Sequence, residues 1–135
     1  MTILSSELQK EMIIKYLAAL SEGDRRKILS LFLPDAVVHS PLYGLMKAKD
    51  FYSELFKDTA QSQISLQGVF TDMERPDRAA AHFYYHWELS SGSKTSFECV
   101  DLFQFDRESN RIMELRIIYD TLKTREDFNE IRGKG

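Results

Sequence analysis

Cysteine is nearly missing from this chain: Cys99 stands alone among 135 residues. A lone cysteine excludes an internal disulfide and suits a reducing compartment. Within a strand-like stretch it reads as a small core residue rather than a nucleophile. An excess of positive charge is also missing. Eighteen Lys and Arg face twenty-one Asp and Glu, a net charge of −3, and no basic run occurs. Nucleic acid and anionic membrane are therefore poor partners. No apolar run reaches the ~18 residues that cross a bilayer. The first residues lack the basic flank and apolar stretch of a secretory signal, so a cytoplasmic location is expected.

Metal and phosphate motifs are missing too. No close spacing of His, Cys and carboxylates falls on one expected face. His82 and His86 are spaced for a helix, but on a strand they lie too far apart to chelate one ion. There is neither a phosphate loop nor a nucleophile elbow. No metal and no cofactor is expected.

What is present is ordinary globular composition, 43% hydrophobic and 29% charged. The length suits one domain over 1–135, long enough to bury a core unaided. Leu8, Met12, Ile13, Tyr16, Leu17 and Leu20 follow helical spacing behind a capping Ser5 or Ser6, and Gly23 ends the helix. Asp24 caps a second helix over Ile28–Phe32, closed by Pro34. Ala36–Ser40 reads as a short strand ended by Pro41 and Gly44. A third helix is predicted over Lys47–Thr59, with Phe51, Tyr52, Leu55 and Phe56 on its apolar side.

From Gln63 the period changes to two. Four long strands follow, over Ile64–Met73, Arg78–Leu89, Lys94–Asp106 and Arg111–Leu122, and then a short helix at Arg125–Arg132 capped by Thr124. Helices first and strands after predict an α+β fold with helices on one face of a bent antiparallel sheet. Alternation puts Phe83, Tyr85, Trp87, Phe97, Cys99, Phe103, Phe105, Met113, Leu115, Ile117 and Tyr119 on the helix side. His82, Tyr84, His86, Glu88, Glu98, Glu114 and Arg116 fall on the other. That mixed outer face suits a homodimer contact.

Asp101 breaks the pattern. Alternation aims it into the apolar side between Cys99 and Phe103, where a carboxylate is costly unless paired or protonated. A buried acid in an apolar cavity marks a candidate functional site. A core Asp satisfied by backbone or a tyrosine is the other reading of the same residue.

The strings Tyr16-Leu17-Ala18-Ala19-Leu20, Gly23-Asp24, Ile28-Leu29-Ser30-Leu31-Phe32, Pro34-Asp35-Ala36-Val37-Val38 and Val100-Asp101-Leu102-Phe103-Gln104-Phe105-Asp106 resemble the nuclear-transport-factor-2-like superfamily. Their nearest look is to its SnoaL-like polyketide cyclase and ketosteroid-isomerase branches, over nearly the whole chain. The resemblance implies a cone-shaped fold enclosing one pocket, and homodimers. Ketosteroid isomerase pairs a tyrosine with a protonated aspartic acid as an oxyanion hole. By resemblance those positions are Tyr16 and Asp101. The usual base position falls on Ser40, and a supporting second tyrosine falls on Phe56. Serine cannot serve as that base unaided, which leaves a water held by Ser40, the substrate itself, or neighbouring His39, which alternation points to the opposite face unless a bulge near Pro41 re-aims it. Phe56, Phe83, Tyr85, Trp87, Phe97, Phe103, Ile117 and Tyr119 are expected to line the pocket, with Tyr43 near its mouth.

Two readings follow. One is a cofactor-independent isomerase, cyclase or lyase acting on a small apolar molecule with a carbonyl. The other is a non-catalytic small-molecule binding or dimerisation domain.

Overall fold

In the computed structural model, which describes residues 5–132, Ser5 opens α1 (Ser6–Glu22). Its Oγ accepts the Leu8 amide N–H at 3.1 Å. Gly23 ends α1 with φ +69°, a left-handed conformation that glycine adopts without Cβ strain. Asp24 caps α2 by accepting the Lys27 N–H at 3.0 Å. That helix is only Arg25–Leu29, shorter than the spacing predicts. Leu31 and Phe32 leave it because Phe32 already belongs to β1 (Phe32–Ser40). Pro34 therefore lies within a strand, in the stretch where β1 loses register with its partner. There its missing N–H breaks no ladder bond.

β2 (Gly44–Lys47) follows a tight turn and leads into α3 (Ala48–Lys57). The long strands are β3 (Thr59–Thr71), β4 (Arg78–Leu89), β5 (Lys94–Phe105) and β6 (Ile112–Ile118), and α4 (Thr124–Ile131) closes the described chain. Thr124 does not cap α4 through its side chain. Its hydroxyl meets that of Thr95 instead, at 3.3 Å.

The six strands form one sheet in the order β2-β1-β6-β5-β4-β3. Only β1 and β6 run parallel; the other neighbours are antiparallel. Register shifts interrupt β1/β6, β3/β4 and β5/β6. Such bulges bend strands and let the sheet curl around the helices. One of them corrects the sequence reading of β6. The shift beside Phe105 turns Ile112 inward to full burial and leaves Met113 outside.

The α+β architecture is thus helices packed on one face of a curved, mixed sheet. α1 packs along β3, and α3 along β1, β2 and β3, so that Ile13, Tyr16, Leu17 and Leu20 of α1 and Phe51, Tyr52 and Leu55 of α3 join the inward side chains of β4, β5 and β6 in one core. Burying each large apolar side chain contributes roughly 1.5–3 kcal/mol. No described helix is long and apolar enough to cross a membrane.

Candidate functional site

The inner face of the sheet does not close fully on the helices. A cavity with a free volume of about 40 Å³ remains, several times the ~10–15 Å³ a single water needs. Its lining is mostly apolar: Leu20, Phe51, Leu55, Phe83, Trp87, Phe97 and Ile117. The polar side chains facing it are Tyr16, Ser40, Tyr43, Tyr85, Cys99, Asp101 and Tyr119.

Asp101 is 2% exposed. It faces Ala81 on β4 and Ile117 on β6, and neither can solvate a charge. Burial therefore pushes its carboxyl up to about 7. A weaker opposing effect comes from the Cys99 thiol, which donates to Oδ1 at 3.3 Å. The other carboxyl oxygen has no protein partner among the described residues. Below neutral pH Asp101 is an acid able to donate a hydrogen bond into the cavity.

Tyr16 reaches the same cavity from α1. Its hydroxyl lies 2.6 Å from that of Tyr52 on α3, and its ring packs edge-on against Phe103 at 5.3 Å. Burial holds both phenols well above their ordinary value. Asp101 is near enough to oppose ionisation of Tyr16 further.

The hydroxyl that supports Tyr16 thus belongs to Tyr52, not to position 56. Phe56 lies one helical turn on, tilted against the Tyr52 ring at 5.8 Å, and does not line the cavity. Phe103 also stays out of the lining. It is fully buried behind Tyr16 and stacks on Phe105. Of the remaining expected wall residues, Phe83, Tyr85, Trp87, Phe97, Ile117 and Tyr119 all face the cavity. Two of these have their polar atoms occupied by β3. Tyr85 shares a 2.8 Å hydrogen bond with Ser62, and the Trp87 indole N–H donates to Thr59 at 2.8 Å.

His39 is not brought to the cavity. The alternation of β1 puts Val38 and Ser40 inside and His39 outside, where Nε2 sits 2.5 Å from Glu114 Oε2. No bulge at Pro41 re-aims it. His82 and His86 are on the outer face too, paired with Glu98 at 2.5 Å and Ser96 at 2.8 Å. Ser40 does line the cavity, but its Oγ accepts the Leu42 and Tyr43 N–H groups at 3.2 and 3.1 Å. It can donate a hydrogen bond there and has no acceptor position left. Among the described residues Asp101 is accordingly the one carboxyl in the lining, and no imidazole joins it. Among the described residues no three His, Cys, Asp or Glu side chains converge as a metal would require.

At the mouth, Tyr43 donates to Asp58 at 2.7 Å. Asp58 also pairs with Arg132 beyond α4 at 3.1 Å, and Arg132 reaches Glu54 at 2.9 Å. Sequence reasoning missed Tyr52, Cys99 and Asp58. Tyr52 and Cys99 were visible as inward-facing positions, but their polar partners lie on other elements.

Known structures share this fold. A candidate SnoaL-like polyketide cyclase from Shewanella denitrificans OS-217 is 12% identical, with a TM-score of 0.74 over 91% of this chain and 98% of that one. SalBIII, an epoxide hydrolase/cyclase-like enzyme in pyran ring formation of salinomycin, is 15% identical, with a TM-score of 0.73 over 84% and 92%. A protein of unknown function with a cystatin-like fold from Methylobium petroleophilum PM1 is 23% identical, with a TM-score of 0.73 over 87% and 78%. These likenesses establish the fold. No curated protein matches the sequence. The model of the SnoaL-like domain matches residues 13–115, three-quarters of the length and every element from mid-α1 into β6, and the chain belongs to that family.

Proposed function

We propose that the cavity binds a small, largely apolar molecule by a carbonyl or enolate oxygen, with Tyr16 and Asp101 donating hydrogen bonds to it. The observation that carries this reading is Asp101, an acid buried among apolar groups and directed into a cavity that Tyr16 shares. Two donors held in a water-poor site stabilise developing negative charge on an oxygen by a few kcal/mol. That is what a cofactor-independent isomerase, cyclase or lyase asks of its protein. Removal of a proton next to the carbonyl would fall to a water that Ser40 orients or to a basic group of the substrate, since Asp101 must keep its proton to donate. His39, bound to Glu114 on the outer face, is left out of that role.

A second reading, a binding domain without turnover, is favoured by one specific feature. Among the described residues the lining offers no imidazole, amine or second carboxylate to act as a base. In either reading the whole chain acts as one domain and pairs with a second copy through the outer face of the sheet.

A fluorescent naphthol tests the donor pair without the true ligand, because its phenolate imitates an enolate oxygen. Wild type should bind it, and Tyr16→Phe and Asp101→Leu should each weaken binding at least tenfold while remaining folded. A folded wild type that ignores naphthol would make Tyr16 and Asp101 structural residues.

A further inference from the structure

Ser40 ends β1 with its hydroxyl unusually committed. A serine oxygen has two acceptor positions and one proton. Both acceptor positions are taken by the Leu42 and Tyr43 N–H groups of the following turn. The proton has no protein acceptor among the described residues, and Ser40 lines the cavity. The turn therefore fixes this hydroxyl as a donor and leaves its proton for a guest.

Register shows where that donor sits. His39 is level with Arg116 on β6, so Ser40, one residue on, is level with Ile117. Asp101 is paired with Ile117 from the other side. Ser40 and Asp101 thus occupy one rung of the sheet and flank the Ile117 side chain. Two strand spacings separate their Cα atoms by roughly 10 Å, and both side chains rise from the concave face. Two hydrogen bonds of about 2.8 Å each fit that span when the oxygens between them are close neighbours.

We propose that Ser40 is a second oxygen-binding station, and that it makes the cavity select molecules with two acceptor oxygens on alternate carbons, as in a β-dicarbonyl, over monoketones. The inference rests on the carbonyl-binding reading above and adds the specificity that Ser40 confers.

Acetylacetone and 2-pentanone share a five-carbon chain and differ by one oxygen. Calorimetric titration of the whole chain at pH 6, where Asp101 is mostly protonated, should show acetylacetone preferred at least about fivefold, the worth of one net hydrogen bond. Ser40→Ala should bring the ratio near one and keep 2-pentanone affinity. Loss of the turn bonds could unfold that variant, so the same question is put to wild type by amide NMR. Acetylacetone should shift the Ser40, Leu42 and Tyr43 resonances, and 2-pentanone should leave them in place. Equal wild-type affinities, or a preference that survives Ser40→Ala, would overturn the second station and leave the carbonyl site standing. Binding of neither ketone would overturn both.

Discussion

The hydroxyls of Tyr16 and Tyr52 meet at 2.6 Å in full burial, from two helices that have no other polar contact between these residues. Tyr52, fully buried and outside the cavity lining, cannot exchange its partner for water. The pair therefore orients the Tyr16 hydroxyl at the cavity wall. Tyr52→Phe should destabilise the fold by about 1–3 kcal/mol, because it strands a buried hydroxyl. It should also weaken naphthol binding several-fold. Phe56→Leu, one turn away, should leave binding unchanged. If Tyr52→Phe binds like wild type, Tyr16 needs no support and the pair is only a packing contact.

Asp101 should make stability depend on pH in the direction opposite to a salt-bridged carboxylate. Its folded value, about 7, lies above the ordinary 3.8. Between those limits the unfolded chain has released this proton and the folded chain still holds it. Its contribution is full below about pH 4, falls as pH rises through that window, and is flat above about 7. At 1.36 kcal/mol per unit, the change is on the order of 4 kcal/mol. The measurement is the stability difference between wild type and Asp101→Asn by denaturant unfolding from pH 4 to 8. A difference that does not move across that range would show that Asp101 ionises as it would in water.

Asp101 was legible in the sequence because a period of two is hard to disguise in β5. Every second residue from Cys99 to Phe105 is buried, so one charged member stood out. The same logic failed in β6, where a bulge moved the inward position from Met113 to Ile112. It failed in part for α3 as well. Helical spacing put Tyr52 and Phe56 on one face, and only the three-dimensional path of α1 decides which of them meets Tyr16. β2 was missed because four residues after a turn carry too little pattern. His39 was readable: alternation alone placed it outside, and β1 is regular there.

Arg132 should hold α4 against the mouth of the cavity. Its guanidinium bonds Asp58, whose side chain is 6% exposed, and it lies 5.8 Å over the rings of Tyr43 and Phe128. Removing it leaves a buried carboxylate with Tyr43 as its remaining donor. Arg132 is itself 37% exposed, so solvent screening limits the loss to about 1–2 kcal/mol. Arg132→Met should therefore speed hydrogen exchange in α4 selectively and leave the amides of β4 and β5 protected. Uniform loss of protection would mean that α4 is integral to the core.

The outer sheet face should bury itself against a second copy of the chain. Phe70, Tyr84 and Ile118 are 59%, 40% and 48% exposed on it, and Ile118 is paired with Val100 near its centre. An apolar patch on a sheet face marks an interaction surface. Charges of both signs surround it, Glu88 opposite Lys94 at one end and Arg116 beside Glu114 at the other, as on the polar rim of an interface. Sedimentation at tens of micromolar, an order-of-magnitude working range for such contacts, should give twice the chain mass. Ile118→Asp puts two charges at the symmetric centre and should give folded monomer. A wild type that sediments as monomer at that concentration would leave the patch without a second copy to cover it.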